Sequence, residues 1–91
     1  MDTYRVKTAG VCARSIDFSL DEEGKVHDVS FFGGCNGNLK GISQLIEGMP
    51  AADIIARLEG TQCGGKATSC PDQLARALKS AQEGKLDDRK L

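Results

Sequence analysis

The 91-residue sequence predicts an α+β fold, a three-stranded antiparallel sheet followed by three helices packed on one face. Three observations carry that prediction. Ile16, Phe18 and Leu20 alternate with Ser15, Asp17 and Ser19, the period of a strand with one dry face. After Gly37 the period changes, with Leu39, Ile42, Leu45 and Ile46 at spacings of three and four. Strands come first and helices after, the order expected of an antiparallel sheet covered on one side rather than of βαβ units.

Each element has its own signal. Tyr4-Arg5-Val6-Lys7 alternates weakly and supplies the first strand. Asp21-Glu22-Glu23-Gly24 is the turn of a hairpin, and Lys25 to Phe32 is the returning strand, with His27, Val29 and Phe31 expected on one side and Asp28, Ser30 and Phe32 on the other. Gly48 ends the first helix. Pro50 is placed to open the second at its favoured first position, Ile54, Ile55 and Leu58 form its buried face, and Gly60 stops it. A third helix runs from Pro71 to about Gln82 and buries Leu74, Ala77, Leu78 and Ala81. The domain is expected over residues 3–82, with 83–91 a polar, frayed tail.

Composition narrows the function classes. A chain this short buries only about 60–65% of its unfolded surface, and with no Trp, one Tyr and three Phe its core is thin. A net charge of −1, with both signs mixed along the chain, gives no field to draw DNA or an anionic membrane. The N-terminus lacks the apolar run of a signal peptide and no stretch reaches transmembrane length, so a cytoplasmic location is expected.

Four cysteines, Cys12, Cys35, Cys63 and Cys70, are the chemically distinctive residues. In a reducing compartment they point to metal ligation or redox chemistry rather than to structural disulfides. The hairpin register carries Cys12 nearly opposite Gly33 and close to Cys35, while antiparallel helices return the Gly64-Gly65 loop, with Cys63 and Cys70 on either side, towards the start of the first helix. All four are therefore expected at one end of the domain. Four thiolates suit a closed tetrahedral zinc site, and structural zinc contributes apparent energies of roughly 10–16 kcal/mol to small metal-dependent folds. The spacing lacks the paired short knuckles of zinc ribbons, and the plainer account of Cys12, between Val11 and Ala13, is a small core residue.

Two other chemistries stay open. Cys70 and Cys35 each precede a helix, where unpaired N–H groups favour a thiolate and hence thiol redox chemistry, although no C-x-x-C occurs. Ser69 and Asp72 spell an S-x-x-D capping box beside Cys70. The loop Gly33, Gly34, Asn36, Gly37 and Asn38, with Lys40 behind it, is a candidate anion cradle, against which stands the simpler need for glycine in a strand-to-helix turn. His27, the one histidine, is read as a strand residue and not a ligand. No catalytic set assembles. Phe32 and the acidic turn Asp21-Glu22-Glu23 are candidate contact surfaces.

The string Thr68-Ser69-Cys70-Pro71-Asp72 resembles the signature of the TSCPD domain family, and Phe31 to Asn38 and Gly60-Thr61-Gln62-Cys63 are similar to further parts of its pattern. The resemblance covers nearly the whole chain. It implies a small stand-alone relative of a module found on the C-terminal side of cobalamin-dependent ribonucleotide reductases, and so a link to deoxyribonucleotide synthesis, with such a reductase or another protein as partner. The chain is too short for the ten-stranded reductase barrel and is not expected to reduce ribonucleotides by itself. A fainter similarity is to iron–sulfur scaffold proteins, which makes an iron–sulfur cluster the secondary cofactor expectation after zinc.

Overall fold

The computed structural model describes residues 1–8, 11, 13–33, 36–61 and 68–91, with Asn36 described in its backbone alone. Strands β1 (Asp2–Lys7), β2 (Ser15–Leu20) and β3 (Val26–Phe32) form one antiparallel sheet in the order β1-β2-β3. Helices α1 (Asn36–Ile46), α2 (Ala51–Leu58) and α3 (Cys70–Gln82) follow. The α+β architecture is the one expected.

The β2–β3 turn is built by Asp21, whose carboxylate accepts the amides of Glu23 and Lys25 at 2.9 Å, while Gly24 takes φ +79° to close it. Pairing is in register from Asp2↔Leu20 to Lys7↔Ser15 between β1 and β2. Between β2 and β3 it slips. Asp17 pairs with Ser30 but Ser19 with His27, so β3 carries one extra residue, and Asp28 takes φ +54°. The bulge changes the parity of β3. Val26 and Val29 are both buried and His27 leaves their row, correcting the expectation that His27, Val29 and Phe31 share one face.

The core lies between the sheet and the helices. Tyr4, Ile16, Phe18 and Val26 meet Ile46, Ala51, Ile54, Leu74 and Leu78, and Tyr4 stacks on Phe18 with ring centres 5.2 Å apart. Leu45, assigned by its spacing to the apolar stripe of α1, is instead 80% exposed, because Leu39, Ile42 and Ile46 already fill the strip that faces the sheet. Pro50 precedes α2 rather than beginning it, and its carbonyl accepts from Asp53 and Ile54.

The tail is the clearest correction. Residues 83–91 do not fray away from the sheet. A 3₁₀ turn, Asp87–Arg89, leads to a bridge between Lys90 and Tyr4, and the amide of Leu91 donates to the carbonyl of Thr3 at 2.8 Å. Composition missed this because polar residues can close a sheet edge through backbone bonds that need no apolar side chain. Among the described residues no helix is long and apolar enough to cross a membrane.

Candidate functional site

Cys70 is the first residue of α3. Ser69 caps the helix from an extended conformation, its hydroxyl accepting the Asp72 amide at 3.1 Å and donating to the Thr61 carbonyl at 2.7 Å. Pro71 occupies the opening turn, where its missing N–H costs no bond. The Cys70 side chain is buried, and its Sγ accepts the amide N–H of Ala13 at 3.4 Å. Around it lie Ala13 and Leu39, with Val11, Phe31 and Ile42 partly buried at the margin.

Cys12, Cys35 and Cys63 lie outside the described residues, as does Gly34. Their described neighbours lead to Cys70. Ala13, next in sequence to Cys12, donates to the Cys70 sulfur. Leu39, in the opening turns of the helix that follows Cys35, packs in the same small cluster. Thr61, two positions before Cys63, accepts from Ser69, and the Gly60 amide donates to Asp72 at 2.6 Å. Segments adjoining the three cysteines are thus each held by Cys70 or by a residue within two positions of it. Among the described residues no group of three His, Cys, Asp or Glu side chains is placed to hold a metal ion.

Asp72 does more than the capping box predicted. Instead of turning back to the Ser69 amide, its fully buried carboxylate accepts from Gly60 N–H, from the Thr68 hydroxyl at 2.5 Å and from Arg76 Nε at 2.9 Å. Burial opposes its charge, yet the Thr68 and Gly60 hydrogen bonds and the Arg76 guanidinium outweigh that and hold the carboxyl below its ordinary range. One side chain therefore joins the exit of α2 to the start of α3. The sequence signal for this was present, since a buried carboxylate needs several donors and Thr68, Gly60 and Arg76 surround it in the pattern, but the capping box explained Asp72 too readily.

At Gly33, φ is +82° and the Arg14 side chain lies 3.2 Å from where a Cβ would stand, so both conformation and space call for glycine in this strand-to-helix turn. Gly37, Asn38 and Lys40 are exposed on the opening turns of α1. Lys40 also lines a groove with Val29, Ser43 and Glu47 between β3 and α1.

His27 is no bystander in its strand. Nε2 meets Asp21 at 2.8 Å and Nδ1 meets Glu47 at 2.6 Å, while the other Glu47 oxygen accepts the Asp28 amide at 2.8 Å. The hydrogen bonds to Asp21 and Glu47 raise the imidazole above its ordinary value. Asp21 is lowered, chiefly by His27, and Glu47 is lowered by the Asp28 amide and then by His27. Because the carboxylates engage opposite ring nitrogens they cannot converge on one metal ion, and neither nitrogen is left to serve as a base. The arrangement is a clasp between turn, β3 and the end of α1. Sequence reasoning missed it because Glu47 stands 20 residues away and beyond a bulge.

The family model described as TSCPD domain matches residues 1–82. Comparison with curated proteins and with solved structures returns no match.

Proposed function

From the premise that this chain belongs to the TSCPD domain family, we propose that it is a small binding module whose four cysteines form one zinc site, accessory to a larger enzyme. The observation that carries the reading is the burial of Cys70 with its sulfur against the Ala13 amide, beside segments that adjoin the other three cysteines. Cys12, Cys35, Cys63 and Cys70 would hold the metal. Zinc there would act as a closed structural ion, and the backbone donor from Ala13 is of the outer-shell kind that orients a metal-bound sulfur. The family resemblance points to ribonucleotide reductase as the enzyme served, with the module docking on it rather than performing its chemistry.

A thiol relay to such a reductase is the second reading, favoured by the position of Cys70 at a helix start. Burial of Cys70 weighs against it, since a relay thiol must be reached by its partner. Elemental mass spectrometry and thiol titration on one anaerobic, untagged sample separate the two. One zinc per chain, with thiols that react only after denaturation, is the expected result. Absence of metal with two fast-reacting thiols would overturn the zinc reading and favour the relay.

A further inference from the structure

The exposed side of β1 carries a second feature, unrelated to the cysteines. Arg5 and Lys7, two residues apart and so on one face of the strand, stand beside Arg14 and beside Arg89 and Lys90 of the tail. Together with Ser15 and Leu91 they line a groove of about 600 Å³ in which Asp88 is the one acidic residue among those described. Five cations and one acid line this groove, and at its margin Asp17 pairs with Arg5 and Asp2 and Asp87 pair with Lys90.

Several of these cations are held in place. Arg5 makes two 2.9 Å bonds to Asp17, with its guanidinium 5.7 Å from the Phe32 ring centre. Lys90 lies 3.6 Å from Asp2 and 3.5 Å from Asp87, and Arg89 3.8 Å from Asp88. Lys7 and Arg14 have no ion pair among the described residues, and the Arg14 stem lies beside Gly33. Two uncompensated cations thus face a concavity whose other charges are already ordered.

We propose that this groove binds a small, multiply charged oxyanion, a phosphate ester or pyrophosphate, with Lys7 and Arg14 as its principal contacts. Its volume falls within the range of small-molecule sites, roughly 300–1,000 Å³. A compact anion meets the unpaired Lys7 and Arg14, whereas a long polyanion would run past Asp2, Asp17, Asp87 and Asp88, which hold the other cations. Arg14 supplies the planar fork suited to oxyanions and Lys7 a point charge. The tail that builds one wall lies beyond the family-matched span, while Arg5, Lys7, Arg14 and Ser15 of the other wall lie within it.

The test is a titration of the full chain with sodium pyrophosphate at low ionic strength, followed by ¹H–¹⁵N correlation spectra. Saturable shifts confined to residues 5–7, 14–15 and 88–91 are expected. The double variant Lys7→Gln/Arg14→Gln, both positions exposed, should keep its spectrum elsewhere and bind about tenfold more weakly or worse. Lys40→Gln, on α1, should bind as the wild type. Unsaturable shifts, shifts centred on residues 36–40, or undiminished binding by the double variant would each overturn the proposal. So would tighter binding of a duplex DNA than of pyrophosphate at the same residues.

Discussion

The two apolar clusters of this domain are unequal, and the inequality sets what each end depends on. Thirteen buried residues join the sheet to the helices, whereas Ala13, Leu39 and Cys70 alone form the buried cluster at the cysteine end among the described residues. The first region is ordered by apolar area, which is non-directional and tolerant of repacking. The second is ordered by specific bonds: Ala13 to Cys70, Ser69 to Thr61, and Asp72 to Gly60, Thr68 and Arg76. A domain can thus spend its few large side chains in one place and hold another through directional contacts, to which a metal would add under the proposed function.

The largest effect should come from the packed region. Phe18→Ala removes a ring with no exposed surface from beneath Tyr4, and about 3–5 kcal/mol should be lost. Urea denaturation should show most of the stability of so small a domain gone, with or without added zinc. The polar end should break at Asp72. Asp72→Asn keeps the shape but removes the charge that Arg76, the Gly60 amide and the Thr68 hydroxyl address, at a cost of about 2–3 kcal/mol. Native-state hydrogen exchange should show the loss concentrated at Gly60 and the start of α3. Uniform loosening would deny Asp72 its local role.

A smaller change sharpens the comparison at the same end. Ser69→Ala should cost about 1 kcal/mol, read as a shift in denaturation midpoint, because the Asp72 amide loses its acceptor and the Thr61 carbonyl its donor. The smallest effect belongs to the clasp of His27 with Asp21 and Glu47 by the β2–β3 turn. With His27 raised and Asp21 and Glu47 lowered, the His27 contribution is complete below about pH 6.5 and is lost as pH rises through its raised value. The carboxylates contribute above about pH 4–4.5 and lose their share as pH falls through their lowered values. Melting temperatures should therefore show the wild type ahead of His27→Gln near pH 6, the gap closing as pH rises through the raised His27 value. A constant gap across that range would assign the effect to packing instead.

Much of the fold was legible because it rests on periodicity. The alternation at Ile16, Phe18 and Leu20 and the three-and-four spacing of α1 both survive as buried faces. What escaped was set by backbone and long-range partners. The extra residue at Asp28 reverses the parity of β3 without any mark in the hydrophobic pattern, and Leu45 fits the stripe by spacing yet has no surface left to cover. At the cysteine end, Ser69 was legible as a cap because capping is local. The reach of Asp72 to Gly60 depends on how α2 and α3 pack, and no window of sequence contains both elements' orientation.

The docked tail has a consequence for the protein in crowded solution. A three-stranded sheet has two margins, and each is partly occupied by the chain itself: Lys90 and Leu91 lie beside β1, the Leu91 amide bonding Thr3, and Gly48 and Met49 bond to Val26 at the beginning of β3. Such self-bonding takes up backbone groups that would otherwise recruit strands from other copies. Through Lys90 and Leu91, neither of them in the core, the segment after α3 covers part of the β1 edge.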